Sequence, residues 1–457
     1  MDTTGRPLPY RASLLALAAA ALALRAFLIF RGGQNYWPDE IRYQRSREAA
    51  AAISRGDRAA ARLALTHGDH LLFGVLGIVP ASLEPLTGDD PRVPALFFAL
   101  FSVASLAALA GVTRRLGEPE AVALLSAALF ALSTTQLYDA RHLLPYDASM
   151  ALGLAALHAG LATSRPARAS AACGVLAAAA FLTYNGYWLL AAVAMLVTVL
   201  RPPRSPAACL RRAVVTGGAF AATTAAIAVV VSGGVRAYAG AASAFARTAT
   251  QGDFGEGWSL PFAYLWHAEH GLALLWALCL LRAIVRLARG DRNEALGAGV
   301  AGTVAIYAGL VVASVVLHRL VVYGRQVRQL VPFLCLISAV ALDRTFSAAP
   351  RRRLAYVAGA VLLAQAVANF ATPLRQVFPA EFRRMAARIP VHGSPRLEFV
   401  GHIYPVPFVP PPVAGTVLLE RPHPLEYLPY QYEGYTPRQR AALRMTDIHM
   451  RLVDASP

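Results

Sequence analysis

The sequence predicts an all-α polytopic membrane protein with about eleven transmembrane helices. Of its 457 residues, 56% are hydrophobic and 15% are charged, and the mean hydropathy is +0.47. Apolar runs that approach or reach the length of a bilayer crossing, about 20 residues, recur between residues 12 and 372. Soluble proteins of this length seldom combine these features.

The apolar runs are separated by segments in which every basic residue is an arginine. The chain has 43 such residues and a formal net charge of +17. This total charge is not by itself evidence of nucleic-acid binding, and no nucleic-acid partner is predicted. The predicted spans centre on residues 12–30, 93–113, 120–137, 148–163, 170–184, 186–200, 213–232, 261–281, 296–317, 329–343 and 354–372.

Arginine placement predicts how these spans are oriented. A twelfth apolar segment, 70–86, is shorter and contains Pro80 and Glu84. If it lies in the membrane interface without crossing, the arginine-rich connections all fall on the side of the N-terminus, which the positive-inside rule assigns to the cytoplasm. These connections are 114–115, 165–168, 201–212, 282–292 and 344–353. The first run is followed by Arg31 rather than a cleavage site, so a retained anchor is expected. The predicted location is the inner (plasma) membrane.

The chain is expected to comprise a transmembrane domain, residues 1–372, and a small extracytoplasmic domain, residues 373–457. Within the first, residues 31–92 form the first extracytoplasmic loop, where the spacing of Arg, Glu and Ala predicts interfacial helices. The tail is Pro-rich, with β-like runs at 397–404 and 415–420 and a predicted helix at 437–445. The four cysteines are far apart and are expected to be core residues rather than disulfide partners.

The stretch NYWPDEIRY, residues 35–43, sets two adjacent carboxylates directly after the first apolar run. Pro38 suits the first position of a helix, and acidic side chains there meet the positive end of the helix dipole. That dipole also favours an ionised Asp39, the form that a general base needs. A helix start and a catalytic site are therefore compatible interpretations.

The longer segment WPDEIRYQRSRE, residues 37–48, resembles the first-loop motif of a known enzyme family. This family comprises the aminoarabinose transferase of lipid A and its relatives, the protein O-mannosyltransferase-like branch of the GT-C glycosyltransferases. Segments 67–72, 92–103 and 323–334 are similar to its interfacial segment, its second span and the start of a late span, so the resemblance covers most of residues 12–345. The matching motif positions are Pro38, Asp39, Glu40, Arg42, Tyr43, Arg47 and Glu48.

The resemblance implies a GT-C bundle that acts as an inverting hexosyl- or pentosyltransferase. Such an enzyme moves a sugar from a polyprenyl-phosphate carrier to a glycan, lipid or protein acceptor at the extracytoplasmic face. A carboxylate takes the acceptor proton as the acceptor attacks the anomeric carbon, and cations stabilise the departing phosphate. Asp39 is then the candidate base with Glu40 beside it, and Arg42 and Tyr43 are candidate substrate-binding residues.

Three arginines near the extracytoplasmic end of a late predicted span are the candidates for holding this phosphate. Arg319, Arg325 and Arg328 precede the apolar run that begins near residue 329. Guanidinium groups bind phosphate through paired hydrogen bonds. Alternatively, these arginines bind no phosphate and only extend their charged ends to the membrane interface, as snorkelling arginines do.

A second acidic site is normal for the family, between its third and fourth spans. Here the run is YDARHLLPYDAS, in which Asp147 follows Arg141 by six residues rather than the family's five. One residue rotates a helical side chain by about 100°. Asp139 or Asp147 is therefore expected to hold the acceptor or a divalent metal, with Arg141 as a further binding residue. Alternatively, Asp147 only begins the fourth span.

Two further motifs have alternative readings. The Tyr and Trp residues of TYNGYW, residues 183–188, are more typical of an interfacial aromatic belt than of a sugar platform. His267, Glu269 and His270 could form half of a metal site.

A transporter or flippase of lipid-linked sugars is the main alternative function, since it also needs many spans and a cationic site for lipid phosphate. Transporters usually carry ionisable residues within their spans and show repeat symmetry. Here charged residues are sparse within the predicted spans, apart from Arg25, and no repeat is found. An enzyme-derived binding protein without activity is a third interpretation.

Overall fold

The computed structural model describes residues 9–30, 34, 38–66, 68–88, 90–248, 255–269, 271–320, 322, 324–346, 357, 359–367, 396–400, 417–420 and 449–453. Its side-chain description leaves out residues 38, 39, 41, 245–248, 255, 256, 267 and the strands. In chain order, the α-helices are α1 (Tyr10–Phe30), α2 (Gln44–Ser54), α3 (Arg58–Thr66), α4 (Leu71–Leu83), α5 (Arg92–Arg115), α6 (Glu120–Leu132), α7 (Thr134–Asp139), α8 (Tyr146–Gly160), α9 (Pro166–Thr183), α10 (Trp188–Leu200), α11 (Pro206–Ser232), α12 (Val235–Thr248), α13 (Leu260–Glu269), α14 (Gly271–Ala288), α15 (Glu294–Val311), α16 (Gly324–Val327) and α17 (Val331–Phe346).

Seven helical segments in the described part of the chain are long and apolar enough to cross a bilayer. They are Tyr10–Phe30, Arg92–Arg115, Pro166–Thr183, Pro206–Ser232, Gly271–Ala288, Glu294–Val316 and Gly324–Phe346. Their number and composition confirm the prediction of a polytopic, mainly helical membrane protein. The predicted spans at 120–137, 148–163 and 186–200 form the shorter helices α6, α8 and α10. The span at 354–372 lies largely outside the described residues, so the total of eleven stays a prediction.

The core of the bundle forms around α17, whose residues from Val331 to Leu342 are all buried. This helix packs against α6, α14 and α15. The contact with α15 is close because Gly299 and Gly302 present no side chain to Ile337 and Phe333. A second row of contacts runs from α1 through α5, α8 and α9 to α11. Since α17 begins directly after Arg328, this packing fixes the position of that arginine.

One predicted span is interrupted near the candidate site. The run at 120–137 ends as a helix at Leu132, because Ser133 is extended (φ −57°, ψ 126°) and α7 begins after it. The run at 261–281 contains α13 and the start of α14, and residue 270 between them lies outside the described residues. The connection between α11 and α13 contains α12 and the 3-10 helix Gly255–Trp258.

The first loop contains the helices that its sequence spacing predicts, α2 and α3, followed by the apolar helix α4. With 13 residues, α4 is about 20 Å long, which is shorter than the roughly 30 Å hydrocarbon core. Arg47 of α2 holds Glu84, just beyond the end of α4, through two hydrogen bonds of 2.9 Å each. Ser46 Oγ also donates to the Gly74 carbonyl at 2.9 Å. These contacts attach α4 to the loop helices, and its placement relative to the membrane stays a prediction.

The C-terminal tail contains a three-stranded antiparallel sheet with the order β1-β3-β2. Its strands are β1 (Arg396–Val400), β2 (Val417–Glu420) and β3 (His449–Val453). Arg396 pairs with Val453 and Val417 pairs with Leu452. β1 overlaps the first β-like run of the sequence and β2 falls within the second, whereas the predicted helix at 437–445 lies outside the described residues.

Candidate active site

A fully buried arginine, Arg328, joins three elements at the centre of the site. It lies in the 3-10 turn Arg328–Leu330, just before α17. Its Nη1 lies 2.9 Å from Asp139 Oδ2, and its Nη2 lies 2.6 Å from Asp147 Oδ1. Nη2 also donates to Gln136 Oε1 at 2.6 Å. This arginine therefore connects the α17 turn to both α7 and α8.

Burial makes this ion cluster a strong constraint on the local geometry. Removing one partner of a buried ion pair typically costs about 3–5 kcal/mol, because the other charge is left without compensation. Burial raises the pKa of Asp139 to about 7, although the Arg328 guanidinium opposes this shift.

A second buried carboxylate positions the helix that carries Gln136 and Asp139. Glu269, the last residue of α13, accepts four hydrogen bonds at the start of α7. They come from Ser133 Oγ (2.6 Å), Thr134 N (2.8 Å), Thr135 N (3.0 Å) and Thr135 Oγ1 (2.7 Å). The unpaired N–H groups of a helix start favour a negative charge. Glu269 therefore acts as the cap of α7, a role that the sequence does not indicate.

Glu40 ties the first loop to the segment between α7 and α8. Its carboxylate accepts the Leu143 N–H at 2.9 Å and lies 3.1 Å from His142 Nδ1. Glu40 and His142 are both buried. Because protein groups occupy both oxygens of Glu40, this residue is suited to holding the first-loop turn in place. Asp39, next to it in the 3-10 helix Pro38–Tyr43, has a side chain outside the described part of the structure.

The other candidate residues of the first loop, Arg42 and Tyr43, also contact protein side chains. Arg42 Nε lies 3.3 Å from Asp69 Oδ2, and Arg45 lies 4.0 Å from the other oxygen. Burial alone would raise the pKa of Asp69, but His70, Arg42 and Arg45 outweigh it and lower this pKa below its usual range. Tyr43 is buried in a contact with Phe98. Arg42 and Tyr43 thus stabilise the loop whether or not they bind a ligand.

The three late arginines occupy different environments. Arg328 is buried in the ion cluster, whereas Arg325 is partly exposed on α16 and its charge acts on Asp139. Arg319 is exposed. Arg141 is buried, its guanidinium 4.9 Å from the ring centre of Tyr138, and its charge also acts on Asp139. The structure therefore brings Arg141, Arg325 and Arg328 together around Asp139.

Several residues of the site were missed by sequence reasoning. Arg25 of α1 is fully buried, and its Nε donates to Ser102 Oγ of α5 at 2.8 Å. Its only sequence signal was a charge within an apolar run. Gln136 and His142 were not singled out, and Glu269 was considered only as a possible metal ligand, because their roles arise from contacts between distant segments.

The tyrosines of the TYNGYW segment lie close to the ion cluster around Arg328. This position differs from the interfacial aromatic belt that the sequence predicts. Tyr184 and Tyr187 are buried, and the Tyr184 ring centre lies 4.7 Å from that of Tyr146. Arg328 in turn lies 5.9 Å from the Tyr146 ring centre. The Tyr187 hydroxyl has no hydrogen-bond partner among the described atoms. This cluster extends the polar site with an aromatic wall.

The described side chains do not fit a divalent metal. Asp139 and Asp147 share Arg328, and a guanidinium between two carboxylates repels a cation. Glu269 is occupied by the start of α7, and no group of three or more His, Cys, Asp and Glu with metal-binding geometry occurs among the described residues. The side chains of His267 and His270 lie outside the described part of the chain.

An apolar groove of about 600 Å³ lies beside the ion cluster, between α13, α14, α15 and the start of α17. Trp266, Trp276 and Tyr307 contribute its aromatic lining, and Leu330 and Leu334 form its wall on the α17 side. Leu330 follows Arg328 by two residues. The groove thus reaches the same turn that carries the buried arginine.

No family model and no curated protein sequence matches this chain. Its structure is similar to that of ArnT from Cupriavidus metallidurans bound to undecaprenyl phosphate, with a TM-score of 0.50 and 17% identity over 72% of this chain and 60% of that chain. The apo structure of ArnT from the same organism gives a TM-score of 0.49 and 16% identity, covering 72% and 59% of the two chains. The archaeal oligosaccharyltransferase AglB from Archaeoglobus fulgidus, in complex with an inhibitory peptide and a dolichol-phosphate, gives a TM-score of 0.47 and 12% identity, covering 82% and 55%.

The chain thus spans about 60% of the length of the ArnT structure to which it is similar. The similarity extends across most of this chain, and it agrees with the resemblance of the first-loop motif. The chain therefore has a fold similar to that of the ArnT structure.

Proposed function

We propose that this protein is an inverting glycosyltransferase that moves a sugar from a polyprenyl-phosphate carrier to an acceptor at the extracytoplasmic membrane face. The observation that carries the proposal is the position of a cationic cluster, built around Arg328, directly beside a lipid-sized apolar groove. A lipid phosphate needs both environments at one place. The GT-C fold and the first-loop motif support the same conclusion.

The charge of the cluster suits an anionic ligand. Four arginines interact with the two carboxylates Asp139 and Asp147, so positive charge is in excess among the described side chains. Excess buried charge is costly unless an opposite charge compensates it. The four are Arg25, Arg141, Arg325 and Arg328. A pyrophosphate or phosphate group at this place would supply the missing negative charge.

Within this cluster, Arg325 is the best candidate for direct contact with the phosphate. Arg328 already binds Asp139, Asp147 and Gln136, which suits it to holding the site together. Arg325 is partly exposed and lies on α16, which directly precedes the turn that carries Arg328. Its guanidinium can provide paired hydrogen bonds to phosphate oxygens.

The groove is a suitable place for the isoprenoid chain of the carrier. Lipid chains are already in apolar surroundings, so the groove would contribute packing and position rather than a hydrophobic driving force. Phe262 and Trp266 on its outer side are more than half exposed, which suits a groove open to lipid. A chain lying against Leu330 would bring its phosphate to the turn at residues 325–328.

Asp39 is the proposed general base. In the proposed reaction, the acceptor hydroxyl or amine attacks the anomeric carbon while Asp39 takes its proton. The bond between the anomeric carbon and the phosphate oxygen breaks, and its electron pair leaves with the polyprenyl phosphate. Glu40, held by His142 and Leu143, positions the turn that carries Asp39.

The proposal is tested with the purified full chain, a labelled polyprenyl-phosphate sugar and a surface extract from cells that lack the gene. We expect polyprenyl phosphate to be released only when the extract is present, with the label recovered on a glycan, lipid or protein. Mass spectrometry of that product identifies the sugar and the acceptor. Movement of the lipid-linked sugar across vesicle membranes without transfer would instead support a flippase.

A further inference from the structure

The amide side chain of Gln329 connects the 3-10 turn Arg328–Leu330 to the start of α10. Gln329 is the middle residue of this turn and is fully buried. Its Oε1 accepts the Leu190 N–H at 2.9 Å. Its Nε2 donates to the carbonyls of Gly186 and Gln326, at 3.1 Å and 3.0 Å. These three hydrogen bonds use both N–H donors of the amide as well as its oxygen.

The three partners of Gln329 belong to three different elements. Leu190 is the third residue of α10, so its N–H has no partner within that helix, and the residue before the helix provides no side-chain cap. Gly186 lies in the 3-10 turn that precedes α10, and Gln326 lies on α16. Gln329 thus caps α10 and attaches both this helix and the turn before it to α16.

Two further contacts fix the backbone of α16. Gln326 Nε2 donates to the Tyr184 hydroxyl at 3.5 Å. On the other side, Gly324 packs so closely on the ring of Tyr264 in α13 that no side chain would fit at this position. Arg325 lies between Gly324 and Gln326. Its backbone is therefore set by the neighbours of these two residues.

We propose that Gln329 is a positioning residue for the donor phosphate, because it fixes the turn from which Arg325 reaches that phosphate. The proposal rests on the glycosyltransferase function, in which Arg325 binds the lipid phosphate and Arg328 holds the ion cluster. The Gln326 carbonyl that Gln329 binds lies between these two arginines in the chain. Without Gln329, Arg328 would keep its ion pairs, but α16 would lose its attachment to α10 and Arg325 its fixed direction.

The structural consequence is tested by hydrogen exchange in the purified full chain. Gln329→Met leaves a side chain of similar length and removes all three hydrogen bonds. We expect amide exchange to become at least about fivefold faster in residues 188–192 and in residues 324–328, because local opening is easier once a hydrogen bond is lost. Unchanged exchange in either segment would overturn the proposal.

Asn293 provides a matched control, since it is also an amide that caps a helix and joins distant segments. Its Oδ1 accepts the Leu296 N–H of α15 at 2.7 Å, and its Nδ2 donates to Glu118 Oε1 at 2.7 Å. Asn293→Leu should destabilise its own region and leave exchange in residues 188–192 and 324–328 unchanged. Faster exchange of these two segments in the control would reveal general destabilisation and contradict a specific role of Gln329.

The functional consequence is tested by the affinity of the purified chain for polyprenyl phosphate, a measurement that needs no acceptor. Gln329→Met should weaken binding about tenfold or more in the wild-type background but less than about threefold in the Arg325→Gln background, because residues that act through one another are not additive. Asn293→Leu should change the affinity less than about threefold. Equal losses in the two backgrounds would contradict positioning through Arg325. If the wild-type chain binds no polyprenyl phosphate, the proposed function fails, while hydrogen exchange still decides whether Gln329 fixes the turn.

Discussion

Glu269 and Thr134 are separated by 135 residues in the chain, yet the Glu269 Oε2 atom accepts the Thr134 N–H at 2.8 Å. This contact sets the start of α7, whose other end carries Asp139 to Arg328. Because α13 also lines the apolar groove through Phe262 and Trp266, one helix contacts both the groove and the helix that positions the ion cluster.

Replacing Glu269 with glutamine should therefore destabilise the protein and reduce transfer. The glutamine keeps one acceptor but loses the charge, and hydrogen bonds to charged groups contribute about 1.5–3 kcal/mol each. Thermal unfolding and kcat of the purified variant measure the two effects. Glu294→Gln is the control, because Glu294 is an exposed carboxylate at the start of α15 and should leave kcat unchanged. Wild-type kcat in Glu269→Gln would mean that the position of α7 is unimportant.

Arg325 and Arg319 should respond differently to substitution, although the sequence alone treats them alike. Arg325→Gln should raise the donor KM or lower kcat/KM by about tenfold or more, since a hydrogen-bonded charge on the phosphate is lost. The exposed Arg319 serves as the control, and Arg319→Gln should change kcat/KM less than about threefold. Titration of the donor in the transfer assay distinguishes the two, and a reversed order would place the phosphate nearer to Arg319.

The stability of the first loop should depend on Asp69 in a pH-dependent manner. The neighbouring His70, Arg42 and Arg45 lower the pKa of Asp69 in the folded state. A lowered pKa stabilises the folded state above the unfolded value, which is about 3.9 for aspartate, and this stabilisation is lost as the pH falls through the folded pKa.

Unfolding temperatures of the wild type and Asp69→Asn, measured between neutral pH and the acid limit of the fold, test this linkage. The wild type should be more stable at neutral pH, and the two curves should converge as the medium becomes acidic. A constant difference across the whole range would show that Asp69 does not titrate with folding.

Sequence patterns predicted the apolar helices and the first-loop helices well, because both depend on local composition. The interruption after Leu132 was missed, since the start of α7 is satisfied by Glu269, which is distant in sequence. Pro80 and Glu84 correctly marked α4 as unusual, but its partner Arg47 became visible only in the structure.

The candidate site was predicted in part. Asp139, Asp147 and Arg328 were all proposed as binding residues, and the structure adds that they bind one another. The burial of Arg25 beside them depends on how α1 packs on α5, which no local pattern encodes. Asp39 stays a prediction from the first-loop motif.

The proton transfer assigned to Asp39 is tested most directly by the kcat of Asp39→Asn, measured beside Asp57→Asn. Both changes remove one carboxylate from the first loop, but Asp57 is an exposed helix cap, accepting the Ala60 N–H at 2.9 Å, and asparagine caps helices equally well. General-base catalysis contributes about two to four powers of ten. We expect a loss of that size in Asp39→Asn and wild-type turnover in Asp57→Asn. Undiminished sugar transfer by Asp39→Asn would contradict the assignment.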